Sequence, residues 1–106
     1  MANDNETTQL LRIVVALLGR QQFSEPALRK IVTPSSRSTK LLKAYNQCDG
    51  TRVRAEIAKA CRIDKDNFNK AVNRWIRLGV VFELRQEGRR PLLHLYPLPL
   101  KAAKEE

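Results

Sequence analysis

Apolar residues recur at three- and four-residue intervals over most of the chain, the period of helices with one buried face. Leu10, Leu11, Val14, Leu17 and Leu18 predict a helix from Thr8 to about Leu18, with Thr7 or Thr8 as its cap and Gly19 at its end. Ile13 and Val15 widen its stripe, and a stripe that wide is either deeply buried or shared with a second subunit. Residues 1–7 before it are expected to be flexible. Ser24-Glu25-Pro26 starts a second helix, with proline where its missing N–H costs nothing. Ala27, Leu28, Ile31 and Val32 form its inner side, and Thr33-Pro34-Ser35-Ser36 breaks it. A third helix is expected from about Ser38 to Gln47, with Leu41, Leu42 and Tyr45 inward. Asp49-Gly50 ends it, leaving Thr51 as a cap or short bridging residue.

The pattern is sharpest over Arg54–Val81. Ile57, Ala58 and Cys61 share a face of one helix, Arg62-Ile63-Asp64 makes a tight break, and Asp64 caps the next helix. Phe68, Ala71, Val72, Trp75 and Leu78 then line one side of that helix. At 100° per residue, Asp66, Lys70, Asn73 and Arg77 point outward, with Asn69 and Arg74 at the flanks. After Gly79 the period shortens. Val80–Arg85 and Pro91–Tyr96 read as two strands joined at Glu87-Gly88, with Arg85, Arg89 and Arg90 at or near the tip.

The expected fold is α+β, mainly α: a helix-turn-helix among three to five helices, closed by a C-terminal β-hairpin. One domain of 106 residues would divide into a helical support and candidate dimerisation region (8–50), the two-helix unit (51–79), the hairpin (80–97) and a polar tail (98–106).

Charge narrows the partner class. The formal net charge is +9, and between Thr51 and Pro97 eleven basic residues face five acidic ones, a net +6. Such a surface attracts phosphate polymers. Catalysis finds no support: no nucleophile is accompanied by a base and an orienting acid, the acidic residues form no metal cluster, and the four glycines are too widely spaced to cradle phosphate. His94 stands alone in a strand pattern. Cys48 and Cys61 are too few for a disulfide framework, and Cys61 is expected to be a buried free thiol. No metal, cofactor or catalytic residue is therefore expected. The longest apolar run, Ile13–Leu18, is far short of a membrane span, and the polar start does not resemble a secretory signal, so a cytoplasmic protein is expected.

The segment Ala55–Tyr96 resembles winged-helix transcription regulators of the broad MarR/ArsR-like group. Ala58 meets the need for a small residue in the first helix, Cys61 and Ile63 flank the turn, and Phe68 and Ala71 take the buried positions of the second. Trp75-Ile76-Arg77-Leu78-Gly79-Val80-Val81 looks like the exit into the wing. The chain departs from the pattern at the turn, where Arg62 stands in place of a common glycine.

The resemblance implies that the second helix enters the major groove of double-stranded DNA. There Lys65, Asp66, Asn67, Asn69, Lys70 and Asn73 are the candidate base contacts, asparagine offering the donor and acceptor that adenine requires. Arg52, Arg54, Arg74, Arg77, Arg85, Arg89 and Arg90 are the candidates for the DNA backbone or minor groove. The leading expectation is a sequence-specific, homodimeric transcriptional regulator, with Thr8–Leu18 and the tail after Pro97 as candidate interface. The alternative is a non-enzymatic protein-interaction module in a replication, partition or other nucleoprotein assembly. RNA fits less well, for lack of an aromatic stacking surface. An effector pocket between the first helix and the two-helix unit is a further expectation.

Overall fold

The computed structural model describes residues 4–34 and 39–100, with side chains from Glu6 onward. Among these residues lie five helices and a hairpin: α1 (Asp4–Gln22), α2 (Glu25–Val32), α3 (Thr39–Asn46), α4 (Arg54–Cys61), α5 (Lys65–Arg77), β1 (Val81–Glu83) and β2 (Leu92–His94). This is the mainly helical α+β architecture expected, in its five-helix form. Ser35, Ser36, Ser38 and the end of the tail from residue 101 lie outside the described residues.

Local chemistry sets most boundaries. Ser24 caps α2, its side chain accepting from the Ala27 N–H at 3.3 Å. Asp64 caps α5 in the same way, accepting from the Asn67 N–H at 3.1 Å. Two helices end in the same closing turn. After α5, the Val80 N–H reaches the Trp75 carbonyl at 3.0 Å and the Gly79 N–H reaches Ile76 at 3.1 Å, with Gly79 at φ +82°. After α4, Ile63 reaches Ala58 at 2.9 Å and Arg62 reaches Lys59 at 3.2 Å. Here the left-handed position is held by Arg62 at φ 57°. The departure noted in the sequence thus falls on the one backbone conformation of the turn that glycine serves best.

Several expectations are corrected or narrowed. α1 begins at Asp4 and runs through Gly19, so residues 4–7 are helical and Gly19 does not end the helix. Gly19 is there for closeness: a Cβ on it would meet the Leu95 Cβ at 2.9 Å. Of the two roles open to Thr51, cap or bridging residue, it takes the second. It bonds back to Asp49, and Val53 takes the cap position with its N–H held by Glu56 Oε1 at 3.0 Å. Cys61 is only half-buried, whereas Cys48 is fully buried, its thiol pushed up in pKa by desolvation.

The hairpin is antiparallel, with Val81 opposite His94, Phe82 opposite Leu93 and Glu83 opposite Leu92. The segment Cys48–Arg52 lines the other edge of β2. His94 donates to the Cys48 carbonyl at 2.7 Å, Gly50 to Leu92 at 2.7 Å, and Leu92 to Arg52 at 2.9 Å. β2 is therefore paired on both edges, and the hairpin base is fixed to the chain that enters α4. Beneath it, Trp75 meets Tyr45 and Phe68 edge to face at 5.7 and 6.0 Å. Tyr45 donates to the Tyr96 carbonyl at 2.9 Å, and Tyr96 to the Phe23 carbonyl at 2.8 Å. Leu78, expected inward, is exposed just past the end of α5.

Candidate nucleic-acid interface

The outward side of α5 follows from what its other side buries. Phe68, Val72 and Trp75 are fully buried, which turns Lys65, Asp66, Asn67, Lys70, Asn73 and Arg77 to the surface, with Asn69 half-buried at the margin. Arg74 goes elsewhere. Its Nη2 donates to the Ile31 carbonyl at 3.0 Å, in the last turn of α2, where unsatisfied carbonyls attract a cation.

Arg54 ties three elements together. From the start of α4 its Nε meets Glu83 Oε2 of β1 at 3.3 Å, and its Nη1 donates to Asn73 Oδ1 of α5 at 2.9 Å. A guanidinium has no acceptor, so the Asn73 oxygen must face it and the amide NH₂ must point away. One side chain thereby joins the outward face of α5 to the hairpin and sets the orientation of an amide on that face.

The hairpin tip is a two-residue turn with Glu87 at φ 49° and Gly88 at φ 79°, the twist that suits a tight hairpin. Gln86 and Arg89 exchange both backbone bonds, at 3.0 and 2.8 Å, and the Leu84 N–H donates to the Pro91 carbonyl at 2.8 Å. This register sets Arg85 directly opposite Arg90, on the strand face that also carries Glu83. Both arginines are exposed, and neither has an ion-pair partner among the described residues. Like charges facing each other across a hairpin are unfavourable until something anionic sits between them.

Other candidates are engaged within the molecule. Arg89 Nη2 meets Glu56 Oε1 at 2.7 Å, the oxygen that also caps α4, and Arg52 lies 4.0 Å from Asp49 Oδ2. Lys65, Lys70, Arg77, Arg85 and Arg90 are the expected cations left without an acid partner among the described residues. Arg54 connects Asn73 of α5 to Glu83 of β1, and Arg85 follows Glu83 by two residues on the same strand face. The Arg54–Glu83 and Arg89–Glu56 pairs span 29 and 33 residues, which local pattern cannot reveal. The Arg85–Arg90 register was available from the sequence, since a two-residue turn at Glu87-Gly88 dictates it.

Away from this surface, His94 is buried beside Tyr45, ring centroids 5.2 Å apart, and desolvation holds its pKa below the ordinary 6.5. No group of three or more His, Cys, Asp or Glu among the described residues is placed to hold a metal ion. No helix of the described residues is long and apolar enough to cross a membrane. An open groove of about 430 Å³ lies between α1 and the hairpin base, lined by Val15, Leu18, Phe23, Phe82 and Leu95. Comparison with protein-family models, curated proteins and solved structures finds no match.

Proposed function

We propose that this chain binds double-stranded DNA sequence-specifically, as a homodimeric transcriptional regulator of winged-helix type. α5 enters the major groove and the hairpin acts as a wing on the adjacent backbone or minor groove. The observation that carries this reading is that Arg54 joins the outward face of α5, at Asn73, to the hairpin, at Glu83, while both elements carry exposed cations without an acid partner among the described residues. Asn67, Asn69 and Asn73, with Lys65, Lys70 and Asp66, present base-reading chemistry along α5. Arg77, Arg85 and Arg90 present charge for phosphate.

The test is labelled-duplex binding across sequences and salt concentrations. Each phosphate neutralised contributes about −0.9 to the slope of log K against log salt, so free cations on this surface should give a steep slope. One sequence should bind above the rest. Equal affinity for all duplexes would refute specificity, and no binding at low salt would refute nucleic-acid recognition.

The reading as a docking module is favoured by a different observation, the apolar outer face of α1. A heteromeric complex that survives combined substitution of Lys70, Asn73 and Arg90 would support it over DNA binding.

A further inference from the structure

α1 wears its apolar residues inside out. Toward the body it presents small or half-buried groups: Thr8 is buried and accepts from Gln86 Nε2 at 2.9 Å, Val15 and Ala16 pack on the core, and Gly19 touches Leu95. Its large side chains face away. Leu10, Ile13, Val14, Leu17 and Leu18 are 52–61% exposed and Leu11 is 37% exposed. A helix apolar on both faces requires cover on both.

We infer that this outer face is covered by the same face of a second copy, the two α1 helices crossing antiparallel about a two-fold axis between Ile13 and Val14. The spacing of Leu10, Ile13, Val14 and Leu17 is the same read forwards or backwards, as a two-fold contact demands. About this axis Leu10 falls opposite the second copy's Leu17, and Ile13 opposite its Val14. Charge agrees with the register. Arg20 lies over the ring of its own chain's Tyr96 at 4.6 Å, and Arg12 falls level with Val15, which packs on the core, so no basic residue of α1 meets another across the axis. With roughly 100 Å² left on each of the six side chains, the stripe offers on the order of 600 Å² per copy, which reaches the lower end of the standard interface range of about 600–1,000 Å² per partner. Leu18 also lines the groove shared with Phe82, so the interface continues toward the hairpin base.

The inference supplies the surface for the homodimer in the proposed function, and it is tested without DNA, so the two fail separately. Light scattering of the full chain should give twice 12.2 kDa. Ile13→Glu sets two carboxylates at the axis and should give the monomer mass with unchanged helical circular dichroism. A monomeric wild type, or a folded Ile13→Glu that stays dimeric, overturns the interface. Cross-linking covers the case in which that variant misfolds. In a Cys61→Ser background, Leu10→Cys chains mixed with Leu17→Cys chains should be joined by a short thiol cross-linker, and Leu10→Cys chains alone should not. Linkage of Leu10→Cys chains to one another, or no linkage in the mixture, overturns the antiparallel register.

Discussion

Replacing Arg62 with glycine should stabilise the protein, although it removes a side chain and adds none. Arg62 sits at φ 57°, where a residue with a Cβ is strained by about 1–2 kcal/mol and glycine is not. Glycine also loosens the unfolded chain, which offsets roughly 0.4–1 kcal/mol of that gain. The net is about 0.5–1 kcal/mol, or roughly 3–6 °C in melting temperature for a domain of this size. The backbone bonds at the turn remain, including the Arg62 carbonyl that accepts from Lys40 Nζ at 3.3 Å. Arg62→Ala is the control, since it removes the charge and keeps the strain. Gly79→Ala supplies the mirror image: the same left-handed position, with no atom within 4 Å of the added Cβ, so it should lose about 1 kcal/mol from backbone strain alone. Urea and thermal unfolding followed by circular dichroism measure all three. Arg62→Gly no more stable than Arg62→Ala would refute the reasoning.

Changing Arg85 and Arg90 together to glutamine should reduce the salt slope of duplex binding by about 1.8 and leave the ranking of sequences intact; an unchanged slope would mean that the hairpin face does not touch phosphate. Arg54→Gln releases the Asn73 amide and should weaken discrimination between sequences by roughly 1 kcal/mol, whereas a slope lower by about 0.9 with discrimination preserved would make Arg54 a phosphate contact instead. His94 is held below its ordinary pKa of 6.5 by burial, so the unfolded chain takes up the proton more readily. Its contribution to stability should be full above about pH 6.5 and fall as the pH drops through that value. Melting temperature against pH should therefore be flatter in His94→Phe, and identical profiles would rule out this titration. Gly50→Ala combines φ +93° with a Cβ only 2.7 Å from Thr8 Cγ2, and should lower the melting temperature more than Gly79→Ala does.

Much of the fold could be read from residues acting within one turn of themselves. α2 starts at Ser24-Glu25-Pro26 and Asp64 caps α5 as expected, Phe68, Val72 and Trp75 are buried as their spacing implies, and the hairpin turns at Glu87-Gly88. What could not be read depends on groups far apart in the chain. Periodicity shows that α1 is apolar on a wide arc, but partners far along the chain, Leu95 against Gly19 and Gln86 on Thr8, decide which part of it meets the body. Helical angle places Arg74 at the flank and Arg77 outward, but only the packing of α2 shows that Arg74 reaches the Ile31 carbonyl while Arg77 stays on the surface. Arg54 and Arg89 are drawn to Glu83 and Glu56 by tertiary pairing, and the candidate surface narrows to the cations left over.

Mapping amide chemical shifts of the full chain on addition of its preferred duplex tests most directly whether α5 and the hairpin form one nucleic-acid face. The expected result is that changes concentrate in Lys65–Arg77 and in residues 83–90, with α2 and the outer face of α1 unaffected. Changes centred on α1, or spread without preference over every basic residue of the chain, would contradict it.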